Sequence, residues 1–358
     1  MKLRLPGWLR LAGTTLALGA AGGGIFFWLH LPLAWLMGAM LAVTAAALSG
    51  QRMVIPLGWR NVMIAILGVM LGSAFSPALI DRLLAWSLSV AILLAVMALM
   101  TAGAYQIFRR IGRYDPVAAY FAATPGGLGE MAMIGESLGA DIRIISLVHA
   151  TRILLTVISI PLFFSTLGGM TIPPMPAQVT TIFNLDGLDA LILIGCIIAG
   201  SFVGRRLKWP AANLVGPMVF SAALHLSGLS GATPPREIIA LAQIVIGAAI
   251  GCRFVGLDLR TAREAAGLSL LSTIWMLSIA GAASALSYLL LGTPVAASFL
   301  AMAPGGLTEM SLIALSLHLE TAFVSTMHIV RIALIVVAAP MLFHAIRDRL
   351  GRGDDAHS

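Results

Sequence analysis

Residues 116–155 read PVAAYFAATPGGLGEMAMIGESLGADIRIISLVHATRILL, and residues 294–334 read PVAASFLAMAPGGLTEMSLIALSLHLETAFVSTMHIVRIAL. The two stretches share the motif Pro-Gly-Gly-Leu-x-Glu-Met and, 18 residues after its methionine, the pair His-x-x-Arg. Their offset is 178 residues at first and 179 after a single insertion. Similarity at one fixed spacing indicates an internal duplication.

The duplication extends outward from these stretches to the beginning of each unit. The earlier matches are Pro32, Leu36, Gly38 and Met40 with Pro210, Leu214, Gly216 and Met218, and Gly68, Gly72 and Phe75 with Gly247, Gly251 and Phe254. We therefore divide the chain into a first membrane repeat (1–168), a linker (169–185), a second membrane repeat (186–346) and a polar cytoplasmic tail (347–358).

Composition excludes a soluble fold. Of the 358 residues, 59% are hydrophobic and only 10% are charged, and the mean hydropathy is +0.98. An average soluble domain carries about 25% charged residues. Uncharged runs such as 86–106 are long enough to cross a hydrocarbon core of about 30 Å. The sequence predicts an all-α polytopic membrane protein.

The basic residues indicate how the segments cross the membrane. Each repeat has six apolar segments, and Pro-Gly-Gly breaks the fifth, which disfavours a continuous helix there. Twelve complete crossings would place 12 Lys and Arg on the inner side and 8 on the outer side. If each broken segment instead returns to the side it entered from, 18 lie inside, only Arg82 and Arg236 lie outside, and Arg152 and Arg331 stay within the membrane. The second distribution fits the positive-inside rule far better.

An odd number of crossings per repeat has a consequence for topology. With five crossings each, the second repeat is inserted upside down, and both termini lie in the cytoplasm of a bacterial inner-membrane protein. We predict two inverted-topology repeats, each with five transmembrane helices and one re-entrant or broken Pro-Gly-Gly helix. Inverted repeats with interrupted helices occur in secondary transporters, whose site lies at the repeat interface. We therefore interpret the net charge of +7 as a result of membrane orientation, because the basic residues gather on the inner side.

The repeated polar residues are the candidate site. Glycine permits a close backbone approach to a ligand, and free N–H groups at the start of a helix favour anions. Glutamates in the first turn of the returning helix can cap it or can couple transport to protons or cations. The candidates for substrate binding or coupling at the two tips are Gly126, Gly127, Glu130, Gly305, Gly306, Thr308 and Glu309.

The His-x-x-Arg pairs belong to the same hypothesis. His149 and Arg152 share one helix face, as do His328 and Arg331. An arginine this deep in an apolar span needs a partner, and we expect the nearby glutamate to form an ion pair with it. The alternatives are a structural ion pair or an arginine that is released to bind an anionic substrate. Each histidine is either a proton relay or a satisfied interior side chain.

No cofactor, metal site or enzymatic activity is expected. The 2 cysteines, 7 histidines and 18 methionines show no metal-ligand spacing. The expected partners are the lipid bilayer and a small-molecule solute. No direct contact with nucleic acid is expected. Whether the protein forms a homo-oligomer is left open.

The two Pro-Gly-Gly-Leu-x-Glu-Met motifs with their His-x-x-Arg pairs resemble the AbrB-duplication family of bacterial membrane proteins over essentially the whole chain. That resemblance implies labels such as AbrB family transcriptional regulator or ammonia monooxygenase. Soluble AbrB regulators are small DNA-binding proteins, and no soluble segment remains here for such a domain. The paired hairpins also resemble elevator-type transporters in plan.

The sequence favours a secondary transporter or permease for a small anionic or carboxylate solute, coupled to protons or cations. The first alternative is a membrane protein that regulates gene expression through a partner. The weaker alternative is an oxidoreductase, as the monooxygenase label implies.

Overall fold

A computed structural model describes residues 6–77, 86–166, 180–257 and 259–354, and these residues form fourteen α-helices without a strand. The first repeat contributes α1 (Gly7–Trp28), α2 (Ala34–Leu48), α3 (Leu57–Gly72), α4 (Trp86–Gln106), α5 (Pro116–Ala123), α6 (Leu128–Ser137) and α7 (Ile142–Thr166). The second contributes α8 (Gly187–Arg206), α9 (Ala212–Leu226), α10 (Arg236–Gly251), α11 (Leu259–Leu291), α12 (Val295–Met302), α13 (Leu307–Ser316) and α14 (Thr321–Asp354). The predicted all-α fold is confirmed.

Helix length separates the crossing elements from the broken ones. Seven helices of the described part are long and apolar enough to cross a membrane, namely α1, α4, α7, α8, α10, α11 and α14. The apolar helices α2, α3 and α9 are shorter, with 15 or 16 residues. The remaining four helices, α5, α6, α12 and α13, have only 8 or 10 residues and flank the two Pro-Gly-Gly breaks.

The broken segment of the first repeat is a hairpin. A Cβ atom added to Gly135 in α6 would lie 3.4 Å from the Cβ atom of Phe121 in α5. In one straight helix, these two residues would be about 21 Å apart along the axis. The second half-helix therefore folds back along the first, as expected for a re-entrant segment. The opposite orientation of the two repeats stays a prediction.

The two repeats interleave in two helix bundles. The six-helix bundle contains α1, α2, α3, α8, α9 and α10, and the hairpin bundle contains α4 to α7 with α11 to α14. Few contacts join the two bundles. They are made mainly by α2, α3 and the 3₁₀ turn Cys252–Phe254 of the six-helix bundle against α7, α13 and α14 of the hairpin bundle. Each repeat thus contributes to both bundles, so the packing units are not the sequence repeats.

Glycines allow the backbones of the six-helix bundle to touch. A Cβ atom on Gly38 would collide with the Gly22 carbonyl group, and one on Gly216 would collide with the Gly200 carbonyl group. In the same way, Gly68 of α3 lies against the Leu214 carbonyl of α9, and its repeat counterpart in α10 lies against α2. The recurring glycines of the two repeats thus serve close helix packing.

Gly200→Ala should destabilise the protein, whereas Gly195→Ala on the same helix should not. The new methyl group at position 200 would lie 2.5 Å from the Pro217 nitrogen, while position 195 has no atom within 4 Å. Overpacking of this kind costs about 1–3 kcal/mol. Denaturant unfolding in detergent measures the difference. Equal unfolding free energies for the two variants would contradict the packing assignment.

Aromatic contacts tie each hairpin to the other repeat. The Tyr120 hydroxyl of α5 donates a 3.0 Å hydrogen bond to the Ala339 carbonyl of α14, and the Tyr120 ring contacts Phe343. At the matching place, Phe299 of α12 contacts Phe164 of α7, with ring centroids 5.7 Å apart. Each hairpin thus also contacts the long final helix of the opposite repeat.

Some predicted elements lie outside the described residues. Most of the predicted linker 169–185 does so, because the description resumes at residue 180 with a short 3₁₀ turn at Ile182–Asn184. Arg82, one of the two predicted outer arginines, is also outside it. Helix α14 continues into the predicted polar tail as far as Asp354.

Candidate functional site

Proline dictates the break at each hairpin tip. A residue before proline is driven out of the helical region, and Thr124 and Ala303 both have extended backbones, with ψ of 126° and 144°. The tips are therefore the segments Thr124–Gly127 between α5 and α6 and Ala303–Gly306 between α12 and α13. None of the four tip glycines has a positive φ. Glycine occurs at these positions because a side chain would not fit there, and not because the backbone adopts a left-handed turn.

Side chains of the Pro-Gly-Gly-Leu-x-Glu-Met motif pack against the glycines of the same motif. A Cβ atom on Gly126 would lie 2.9 Å from Met131 Cγ, and one on Gly127 would collide with the Glu130 carboxylate. The second tip repeats this arrangement, with Met310 over Gly305 and Glu309 over Gly306. The first glycine makes room for the methionine and the second for the glutamate, which explains why these residue types occur together.

Gly127→Ala should destabilise the first hairpin because the added methyl group displaces the Glu130 carboxylate. Because the Glu130 carboxylate ends a flexible, half-buried side chain that can turn aside, the expected loss is small, about 1 kcal/mol of unfolding free energy. The matched control is Gly129→Ala, since position 129 has no atom within 4 Å. In a double-mutant cycle, Glu130→Ala should remove most of the penalty at position 127. Strict additivity of the two substitutions would contradict the proposed steric coupling.

Buried arginines bind the tip backbone. Arg331 of α14 is 2% exposed; its Nη1 donates a 2.6 Å hydrogen bond to the Ala303 carbonyl, and its Nη2 donates to the Gly305 carbonyl. Arg152 of α7 is 3% exposed and donates longer bonds of 3.4 and 3.5 Å to the carbonyl groups of Ala122 and Thr124. Each arginine thus contacts the tip region of its own repeat.

The predicted ion pairs between these arginines and Glu130 or Glu309 are wrong. Among the residues that the structure describes, no carboxylate forms an ion pair with Arg152 or Arg331. The reason is local, because the unwound tips offer free carbonyl oxygens to the guanidinium groups. The glutamates turn instead toward the glycines of their own tips.

Each histidine hydrogen-bonds to the backbone of the hairpin in its own repeat. The Nε2–H group of His149 donates to the Phe121 carbonyl at 2.9 Å, and its Nδ1 accepts a 3.0 Å bond from Arg152. Arginine can only donate, so these partners define a neutral His149 with its proton on Nε2. His328 donates in the same way to the Leu300 carbonyl, but its Nδ1 has no partner within the described chain.

The two motif glutamates differ in their surroundings. Glu309 is 9% exposed and interacts electrostatically with Arg60 of α3 and Arg253 of the 3₁₀ turn. Glu130 is half-buried, and the repeat counterparts of those two arginines are Ile239 and an alanine. The second tip therefore has charged contacts with the six-helix bundle that the first tip lacks. Thr308, the remaining candidate, is half-buried in the first turn of α13.

The centre of the hairpin bundle carries excess positive charge. Arg152 and Arg331 are close enough to repel each other electrostatically, and the Nε group of each is buried without a hydrogen-bond partner among the described residues. Burying cations without counter-charges is costly. This arrangement is suited to binding an anion.

The contact of α11 with the candidate site was not predicted from the sequence. The sulfur of Met276 in α11 lies 3.9 Å from Arg152 Nη1, and the same buried face of α11 carries Ser269 and Thr273. The available signal was a set of serine and threonine residues spaced along one uncharged span, among them Ser269 and Thr273. They have no counterpart in the duplicated motif, so comparison of the repeats did not reveal them.

The fold and the site together define a class of protein: a polytopic α-helical membrane protein built by duplication, with two Pro-Gly-Gly hairpins bound by buried arginines. The chain belongs to the family whose model is described as transition state regulatory protein AbrB, which matches residues 35–347. The resemblance noted in the sequence is thereby confirmed.

Two relatives cover nearly the whole chain. An uncharacterized protein of Bacillus subtilis, YhjN, is 25% identical over 96% of this chain and 95% of its own length. A protein of Escherichia coli named as a candidate regulator, AbrB, is 26% identical over 88% of this chain and 91% of its own length. These names specify neither a substrate nor a reaction.

Proposed function

We propose that the protein is a bacterial inner-membrane secondary transporter for a small anionic or carboxylate solute. One observation carries this proposal. Two arginines, Arg152 and Arg331, lie buried at the hairpin tips within mutual electrostatic range, and no carboxylate of the described chain neutralises them. An anionic solute would supply the missing charge.

The architecture supports movement of the solute as well as binding. The hairpin bundle meets the six-helix bundle through few contacts, so one bundle can shift against the other at low cost. Irregular backbone at membrane depth is tolerated where it lines a cavity or is buried in protein. Glu130, half-buried beside the first tip, is the carboxylate that we assign to proton or cation coupling.

A stability screen tests anion binding. The purified protein would be melted in acetate, succinate, glutamate, citrate, nitrate, phosphate and chloride salts at one ionic strength. A ligand at 100 times its Kd stabilises the folded form by about 2.7 kcal/mol, so a true ligand raises the melting temperature clearly. We expect at least one anion to do so with wild type and not with Arg152→Gln. Equal melting temperatures in all salts would contradict the proposal.

A second candidate function rests on the name of the Escherichia coli relative, a candidate regulator. In that case the protein would influence gene expression through a partner that binds its surface. Affinity purification and transcript measurements in a deletion strain distinguish the two functions. Regulation would be favoured over transport by two results together. A partner co-purifies with the protein, and the transcripts that change in the deletion strain are restored equally by wild type and by Arg152→Gln.

A further inference from the structure

We infer that the two buried arginines have different tasks: Arg152, together with the hydroxyl groups of Ser269 and Thr273 in α11, forms the pocket for a planar oxyanion group such as a carboxylate, whereas Arg331 fixes its hairpin tip. This inference rests on the proposed transport of an anion. It assigns the binding site to one of the two similar tips.

The hydrogen bonds of the two arginines differ. Arg331 donates a 2.6 Å bond and a second short bond to tip carbonyl groups, so both of its Nη atoms are engaged in fixing the tip. Arg152 makes bonds of 3.4 and 3.5 Å to the Ala122 and Thr124 carbonyl groups, which is long for a charged donor. Its Nη2 contacts His149 and its Nη1 faces the thioether of Met276, a weak acceptor. The first tip therefore holds Arg152 more weakly than the second tip holds Arg331, so a ligand can replace the long bonds of Arg152 at lower cost.

The face of α11 next to Arg152 carries hydroxyl groups without partners. Met276 marks the contact with Arg152, and Thr273 and Ser269 lie about one and two turns before it. Ser269 is 0% and Thr273 2% exposed, and neither hydroxyl group has a hydrogen-bond partner within the described residues. Serine and threonine in helices commonly donate to a carbonyl one turn earlier. Since these two do not, an acceptor is missing beside them.

The helix that corresponds to α11 in the other repeat carries fewer such hydroxyl groups. That helix is α4, and Ser89 is its one buried hydroxyl group without a hydrogen-bond partner among the described residues. A pair of unpartnered hydroxyl groups one turn apart is therefore present on α11 and absent from the described part of α4. Arg152, whose bonds to its tip are the longer ones, contacts the helix that carries this pair.

The chemistry of these groups defines the ligand class. A guanidinium group presents parallel N–H donors that match the two oxygens of a carboxylate, and Arg152 Nε is unpartnered within the described chain. Hydroxyl groups donate to any oxyanion, but they do not require a planar one. A planar oxyanion can therefore accept two parallel bonds from the guanidinium group, which a spherical halide cannot match.

The test compares two variants on the same helix face. Ser269→Ala/Thr273→Val removes both unpartnered hydroxyl groups, and Ser272→Ala removes a neighbouring buried hydroxyl group that already donates to the Ser269 carbonyl at 3.0 Å. Apparent affinities for sodium acetate, sodium nitrate and sodium chloride would be measured from the dependence of melting temperature on concentration. We expect the double variant to weaken acetate and nitrate binding about tenfold, and Ser272→Ala to leave it unchanged.

Lysine variants test the two arginines separately. They also distinguish failure of the Arg152 pocket from failure of the proposed transport function. Arg152→Lys should weaken acetate binding about tenfold and lower the anion-free melting temperature only slightly, whereas Arg331→Lys should lower that temperature more and retain binding. Wild-type affinity in the hydroxyl double variant, or loss of binding only in Arg331→Lys, would overturn the pocket while leaving anion binding intact. If neither acetate nor nitrate stabilises wild type, the proposed function fails with it.

Discussion

Replacement of Arg331 by methionine should lower the free energy of unfolding by about 3–5 kcal/mol, the largest loss that we expect from a single substitution in the hairpin bundle. Hydrogen bonds to a charged group contribute about 1.5–3 kcal/mol each, and Arg331 makes two short ones to tip carbonyl groups. Without the guanidinium group, the Ala303 and Gly305 carbonyls lose these donors inside the protein. The second tip would then lose its fixed path.

Arg152→Met should cost less, about 1–3 kcal/mol, because its bonds to the first tip are 3.4 and 3.5 Å long. The surface control is Arg205→Met, whose side chain is exposed and bonded to Asn213. Denaturant unfolding in detergent gives the three values. Equal losses for Arg152 and Arg331 would contradict the assignment of a structural task to Arg331 alone.

A cysteine at position 183 should react from outside the cell, and a cysteine at position 141 only after the membrane is opened. Phe183 is 95% exposed in the 3₁₀ turn near the end of the linker, and Asp141 precedes α7 at the base of the first hairpin. With ten crossings and two hairpins, these positions lie on the outer and inner sides. Twelve complete crossings reverse both assignments, so labelling changes completely between the two topologies.

The labelling needs a background without native thiols and a fixed reference position. Cys196 and Cys252 are free and would be replaced by alanine. Arg110→Cys serves as the reference because position 110 is exposed and lies inside under both topologies. An impermeant maleimide applied to intact cells should label position 183 only. Labelling of position 141 under these conditions would exclude the hairpin topology.

The elements that follow from local chemistry were predictable from the sequence. Pro-Gly-Gly cannot continue a helix, and the structure breaks at both tips. Gly38 and Gly216 recur at equivalent places, and both turn out to touch another backbone. His149 and Arg152 are three residues apart on one helix, and their side chains are hydrogen-bonded. Each of these features depends on residues near in sequence or on the repeat itself.

The partners of the charged groups were not predictable in the same way. Arg152 and Arg331 bind backbone carbonyl groups that are free only because of the path of the tips. Since every residue has a carbonyl group, the residue types do not indicate which of them is free. Glu130 and Glu309 each precede the arginine of the same repeat by 22 residues, yet each folds over its own glycine. The division into two bundles was also hidden, because each bundle draws helices from both repeats.

Uptake into proteoliposomes tests the central claim most directly. The radiolabelled form of the anion that most stabilises the purified protein would be presented to vesicles containing wild type, Arg152→Gln or Arg110→Gln at matched protein levels. We predict saturable uptake by wild type and Arg110→Gln and at least a tenfold lower rate for folded Arg152→Gln, about 1.4 kcal/mol or more in free energy. Uptake no faster than in empty vesicles, or equal rates for wild type and Arg152→Gln, would contradict an anion transporter with its site at the hairpin tips.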